Sequence, residues 1–223
     1  MTESPKTLDR GHAVTRSLLG WGVVAGPFYL VVSLILALTR PGFDLGRHAL
    51  SLLMLGEWGW MQRTNFVLTG LMVIAAGFGL VRAIRSGRGL AMGVLVAVFG
   101  VALLLSAVFP PDAVDGFPPG ATASATTSGI LHLAFGALGF IALAAAAFAY
   151  ASWCRAESTG AAWIGILLGA LVVVGFVAGA VLARSPFGVA LLWIAVLAGW
   201  LWLALASVRV YAWTPHPVTG ERR

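Results

Sequence analysis

The sequence predicts an all-α integral membrane protein, built as a bundle of six transmembrane helices. Sixty per cent of its 223 residues are apolar and only 10% are charged, whereas about 25% is charged in an ordinary soluble domain. Six apolar stretches are each long enough to cross a hydrocarbon core of roughly 30 Å, which needs about 20 helical residues. The 28 glycines also suit close contacts between helices in lipid.

The six stretches define one predicted domain with a tail at each end. The interiors of these stretches contain no Asp, Glu, Lys or Arg. The first stretch is too long to be the apolar region of a signal peptide, so we interpret it as a retained span. The predicted spans lie at 18–38, 64–84, 89–109, 129–151, 162–183 and 187–208, within a domain of residues 18–208 and between tails at 1–17 and 209–223.

Glycines spaced four residues apart predict where neighbouring helices approach each other. This spacing places both glycines on one helix face and lets another backbone come close. The pairs are Gly22/Gly26, Gly165/Gly169 and Gly175/Gly179.

The distribution of basic residues predicts the orientation. Of the 14 Lys and Arg residues, ten lie in the two tails and the loops on their side, and four lie on the opposite side. By the positive-inside rule, both termini should face the cytoplasm. The composition is typical of a bacterial protein, which predicts the inner membrane. The basic residues lie between apolar runs, not in a basic and aromatic patch, which argues against a nucleic-acid partner.

The first outer loop is long and patterned, and it predicts a short amphipathic helix. Asp44 is a suitable N-cap and Gly56 a suitable stop. On that helix Asp44, His48 and Ser51 would share one face. The sequence therefore predicts polar side chains at the outer surface. Aspartate, histidine and serine are the residue types of a hydrolase triad, but three residues on one helix face rarely form such a triad.

A second outer loop adds carboxylates and an imidazole. Asp112 and Asp115 lie among prolines and glycines, which are typical of turns, and His132 follows near the start of the fourth span. The candidate outer-face polar site comprises Asp44, His48, Ser51, Asp112 and His132. Two further arginines, Arg40 and Arg184, are candidate anion or lipid contacts.

Three functions remain open at this point. The leading hypothesis is a membrane protein that binds a small molecule, lipid or protein at this polar cap. The second is a metal-assisted hydrolase or lipid-modifying enzyme, in which His48, His132 and Asp112 would ligate a divalent metal. The third is a transporter of an uncharged or amphipathic solute, since the spans contain no mid-membrane charge for ion coupling. The sequence contains no metalloprotease, P-loop or hydrolase-elbow motif. It indicates no cofactor other than the possible divalent metal, and it leaves the oligomeric state open.

Two patterned stretches of the chain are familiar in combination. The first comprises Arg40-Pro-Gly-Phe-Asp44, His48, Ser51-Leu52, Gly56, Trp60, Gln62, Asn65-Phe66 and Gly70. The second comprises Phe109-Pro110, Asp112, Gly116, Pro118 and Gly129-Ile-Leu-His132. Together they resemble a bacterial membrane-protein family, common in actinobacteria, that is described as domain of unknown function 998. The resemblance would cover residues 18–208, and it implies a six-helix inner-membrane protein without implying a reaction. It directs attention to the same five candidate site residues.

Overall fold

The computed structural model describes residues 8–222. In that part of the chain there are six long helices, each long and apolar enough to cross a membrane. Lys6 and Arg223, which the charge count includes, lie outside the described residues. The helices are α1 (Arg10–Thr39), α2 (Gly59–Ala83), α3 (Gly87–Val108), α4 (Thr127–Cys154), α5 (Thr159–Val181) and α6 (Pro186–Trp213), with a short 3₁₀ helix, η1 (Leu50–Met54), between α1 and α2.

The six helices form a closed ring. Each helix packs against the next one in the chain, and α6 returns to pack against α1. A weaker contact joins α4 to α6 across the ring. The all-α six-span bundle predicted from the sequence is confirmed.

Glycine pairs lie at the helix contacts, as their spacing predicts. Gly22 faces Ser207 and Gly26 faces the Trp200 side chain, so α1 and α6 meet without intervening side chains. A Cβ at Gly26 would lie 2.8 Å from Cβ of Trp200, which is too close for real atoms. The glycine pairs of α5 face α4 at one end and α6 at the other. Small residues therefore set how tightly the ring closes.

The ring has two distinct ends. We call the end at which α1 begins and α6 ends the tail face, and the opposite end, which carries loops 40–58 and 109–126, the loop face. At the tail face the backbone N–H of Asp9 donates to the carbonyl of Pro217 over 2.7 Å. Arg16 is buried and donates to the Thr214 carbonyl over 2.9 Å. These bonds hold the segment after α6 against the start of α1.

The first long loop does not contain the predicted α-helix. The chain turns after Asp44, whose carbonyl accepts the N–H of His48, and then forms only the five-residue η1. Asp44 caps the turn by accepting from the Gly46 N–H over 2.7 Å. The physical reason is burial: Leu50, Leu52, Leu53 and Met54 are all buried, whereas an amphipathic surface helix buries only one stripe.

The span interiors are less inert than the sequence indicated. Ser33 and Thr69 do not bond to their own preceding turns but join a buried network between α1 and α2. Gln62 donates to Ser33 over 2.9 Å, and Asn65 donates to the Tyr29 carbonyl over 3.1 Å. Thr69 donates to the Asn65 side-chain oxygen over 3.2 Å. The network ties α1 to α2 in the half of the bundle nearest the loop face.

Candidate functional site

The two long loops meet, and His48 is the residue that joins them. Its Nδ1 accepts the backbone N–H of Asp44 over 2.9 Å. Because a backbone N–H can only donate, the ring proton is assigned to Nε2, which donates to the Asp115 carbonyl over 3.2 Å. The ring is buried and lies 5.3 Å from Phe43 and 5.5 Å from Phe117, measured between centroids. We call this arrangement the loop clamp.

Asp115 takes part in the loop clamp through its backbone. Its φ is 54° and that of Gly116 is 81°, two successive positive values as in the type I′ turns that favour Asp-Gly. The turn is closed by paired backbone bonds between Val114 and Phe117, 3.3 and 3.1 Å long. The turn presents the Asp115 carbonyl to His48 and explains why this position holds an aspartate.

Arg40, a predicted anion or lipid contact, supports the first loop from within. Its guanidinium donates to the carbonyls of Leu53 and Leu55, over 3.3 and 2.6 Å, and its Cζ lies 5.5 Å from the Phe117 ring centroid. The anion or lipid contact stays a prediction. The role that the structure gives to Arg40 is to join the end of α1 to both loops.

Asp112 positions the start of α4. Its two carboxylate oxygens accept from the Thr126 N–H over 3.0 Å and from the Thr126 hydroxyl over 2.7 Å. The Thr126 backbone hydrogen bond is the main reason that the pKa of Asp112 lies below its usual value. Thr126 in turn caps α4 by accepting from the Gly129 N–H. The carboxylate thus fixes where the second long loop becomes helix.

His132 connects α4 to the end of α3. Its Nδ1 lies 2.8 Å from the Phe109 carbonyl and 3.2 Å from the Ser106 carbonyl. Since carbonyls only accept, Nδ1 carries the proton and Nε2 has a lone pair available. No bond between His132 and His48 occurs in the described residues: the first lies beside α3 and the second lies in the loop clamp.

A cavity of about 400 Å³ lies within the ring, in the half nearest the loop face. It lies beside the first part of α4, where none of residues 127–138 is buried; burial on this helix begins at Gly139. The walls are mainly apolar and aromatic, and all six helices contribute. The aromatic wall residues are Tyr29, Phe66, Phe99, Phe135, Phe140, Phe176, Trp193 and Trp200.

The mouth of the cavity is polar and carries two positive charges. Arg47 of the first loop and Arg184, which precedes α6, both line it and are exposed. Ser51, Asp112 and His132 also line the cavity. Trp193 donates its indole N–H to the Leu45 carbonyl over 3.2 Å, which holds the first loop over α6. The site is therefore a deep apolar chamber with a charged entrance.

The structure divides the predicted site residues into two groups. Ser51, Asp112, His132 and Arg184 line the cavity, whereas Asp44, His48 and Arg40 build the loops around it. Asp44 and Ser51 make no hydrogen bond to His48 through their side chains in residues 8–222, so these three are not linked as a triad. In the same residues no three His, Cys, Asp or Glu side chains cluster as metal ligands. The metal hypothesis stays a prediction, and it would require Asp112 or His48 to release present partners.

Sequence reasoning missed Arg47 and the aromatic walls. Arg47 was counted only for orientation, although it lies one residue before the candidate His48. The Gln62–Asn65–Thr69 network could have been found from the sequence, because its three polar residues fall at i, i+3 and i+7 and therefore share one helix face.

The comparison with known families agrees with this architecture. The family described as protein of unknown function (DUF998) matches residues 23–209. The chain belongs to the DUF998 family. No curated protein and no solved structure matches it. The match begins within α1 and ends within α6. Helices α2 to α5, both long loops and the residues that line the cavity of this DUF998 protein therefore lie inside the family region. The predicted resemblance is confirmed.

Proposed function

We propose that this DUF998 protein binds a single-chain amphiphile with an anionic head group, and that the loop face is the outer face of a bacterial inner membrane. The observation that carries the proposal is the cavity of about 400 Å³, which combines an aromatic, apolar interior with arginines at its entrance. Ligand sites are commonly concave, mostly apolar and within about 300–1,000 Å³. An acyl chain suits the interior, and a carboxylate or phosphate suits the entrance.

The depth of the cavity matches one leaflet of a bilayer. Its lining on α6 runs from Val189 to Trp200, a rise of about 16 Å at the α-helical 1.5 Å per residue. Half of a hydrocarbon core of roughly 30 Å is about 15 Å. A chain that enters at the loop face would therefore end near the middle of the membrane, where the lipid chains of that leaflet also end.

Charge at the entrance favours an anion. Arg47 and Arg184 supply two positive charges beside one carboxylate, Asp112, whose oxygens both accept hydrogen bonds from Thr126. Guanidinium groups bind carboxylate and phosphate by paired, charge-assisted hydrogen bonds.

A cavity-filling substitution tests the proposal. A Cβ at Gly136 would meet only the Phe176 ring, at 3.7 Å, so Gly136→Phe should extend into the chamber without displacing backbone. The purified protein in neutral detergent would be titrated with a brominated fatty acid, which quenches tryptophans that it touches. We expect saturable quenching of wild type, through Trp193 and Trp200, and loss of most of it in Gly136→Phe.

Gly20→Phe is the matched control, because a Cβ at Gly20 meets nothing within 4 Å and Gly20 does not line the cavity. Arg184→Gln should weaken the quenching titration roughly tenfold, since a hydrogen bond to a charged group contributes about 1.5 kcal/mol. Equal saturable quenching of wild type and of a folded Gly136→Phe variant would refute binding in this cavity.

A further inference from the structure

A second cavity lies at the opposite end of the molecule. Its volume is about 680 Å³, and it is bounded by the start of α1, the end of α2, the side of α4 and the segment after α6. Trp153 and Trp213 form one wall, with ring centroids 5.8 Å apart in an edge-to-face arrangement. We call this the tail-face cleft.

Three arginines line the tail-face cleft: Arg82, Arg85 and Arg222. The carboxylate among the residues that line the cleft is that of Asp9. Its Oδ2 lies 3.1 Å from the His12 Nδ1, and its Oδ1 accepts the backbone N–H of His12. Within residues 8–222 the other ion pair joins Arg209 to Glu157, outside the cleft. Three arginines and one aspartate leave the cleft at +2 with histidines neutral, so its positive charge has no internal counterion.

Two of the three arginines, Arg82 and Arg222, are held by contacts at the cleft. Arg82 uses its Nε to donate to the Thr15 hydroxyl over 3.2 Å, which leaves its terminal nitrogens as donors. The Arg222 Cζ lies 4.4 Å from the Trp213 ring centroid, a distance typical of cation–π contact. The bonds from Asp9 to Pro217 and from Arg16 to Thr214 fix the wall that carries Arg222.

We propose that the tail-face cleft binds a phosphate group, carried either by a lipid head group or by a soluble phosphorylated molecule. Several guanidinium groups around one concavity match the three oxygens and the charge of a phosphate. The tryptophan wall supplies an apolar surface for the part of the ligand that adjoins it. Basic recesses between transmembrane helices are known to suit lipid phosphates. This site is independent of the cavity at the loop face.

The test uses the full chain, purified in a neutral detergent at low ionic strength. In one arm, phosphatidylglycerol or phosphatidylcholine is added and bound lipid is counted by native mass spectrometry. In the other arm, inorganic phosphate is added and the Tm is measured. The test variant is Arg85→Gln with Arg222→Gln. Its control is Arg88→Gln with Arg155→Gln, which removes the same charge from the tail face outside the cleft.

We expect the cleft variant to bind phosphatidylglycerol at least tenfold more weakly than wild type and the control variant to bind like wild type. Phosphatidylglycerol binding without a Tm response to inorganic phosphate would assign the phosphate to a lipid. A Tm increase with inorganic phosphate that the cleft variant loses would assign it to a soluble ligand. If the cleft and control variants behave alike in both arms, the site does not exist, because only net charge then matters.

Discussion

Removal of the His48 ring is the sharpest test of how the loop face is held together. His48→Ala deletes the acceptor of the Asp44 N–H and the donor to the Asp115 carbonyl. Each bond contributes about 1 kcal/mol. The ring also packs between Phe43 and Phe117, and an aromatic pair contributes about 0.5–1.5 kcal/mol. Two such bonds and two such pairs amount to a loss of roughly 3–5 kcal/mol for the loop clamp.

Amide hydrogen exchange measures this loss at the right place. The amides of Val114 and Phe117 bond to each other's carbonyls in the second loop, so neither loses its own acceptor in His48→Ala. A loss of roughly 3–5 kcal/mol corresponds to about 140- to 3,700-fold faster exchange by local opening, at tenfold per 1.4 kcal/mol. We expect that acceleration at both amides, because the first loop would no longer hold the turn.

A control and a refuting result can be stated for the same measurement. His12→Ala removes a half-buried imidazole at the tail face and should leave exchange in the second loop unchanged. The reasoning is refuted if Val114 and Phe117 exchange at the wild-type rate in His48→Ala while the Asp44 amide exchanges faster. The loops would then be joined by Arg40 and the Phe43–Phe117 contact without the imidazole.

Two further predictions concern the elements that frame the cavity. The Thr126 N–H lowers the pKa of Asp112, so this carboxylate stabilises the start of α4 at pH values above its ordinary pKa of about 3.9. The stabilisation is lost as the pH falls through the lower pKa of the folded state. Amide exchange at Gly129, corrected for its intrinsic pH dependence, should therefore become faster below about pH 4, and Asp112→Asn should remove that pH dependence. Gln62→Leu should lower the Tm, because each buried polar group left without a partner costs about 1–3 kcal/mol. The control Thr64→Val should change the Tm little, because the exposed Thr64 hydroxyl bonds only to the Trp60 carbonyl. Equal Tm values for these two variants would contradict the buried network.

Agreement between sequence and structure is closest where lipid imposes the constraint. A chain segment in hydrocarbon must satisfy its own backbone hydrogen bonds, which leaves the helix as the available form for these apolar stretches. The helices nevertheless extend past the predicted spans: α1 begins at Arg10 rather than near 18, and α6 ends at Trp213 rather than near 208. Hydropathy detects the part of a helix in lipid, whereas capping by Asp9 and the Arg16–Thr214 bond extend the helices into the interface.

The predicted form of the first loop, a short amphipathic α-helix, was wrong, whereas the turn predicted in the second loop is present at residues 114–117. Asp44 and Gly56 are good helix boundaries by local rules, but those rules do not record that loop 40–58 inserts four apolar side chains into the ring. Likewise, His48 pairs with the carbonyl of a residue 67 positions away. A backbone carbonyl carries no sequence signal, so no motif could have identified that partner.

The sequence by itself determined that six helices span a membrane, that small residues set their contacts, and that polar residues concentrate in two loops at one end. These properties follow from residue type and spacing, because lipid selects for them directly. Only the tertiary structure decided that a chamber opens beside the first part of α4, with Arg47 and Arg184 at its entrance. That space results from how six helices pack together, and no single segment of the chain encodes it.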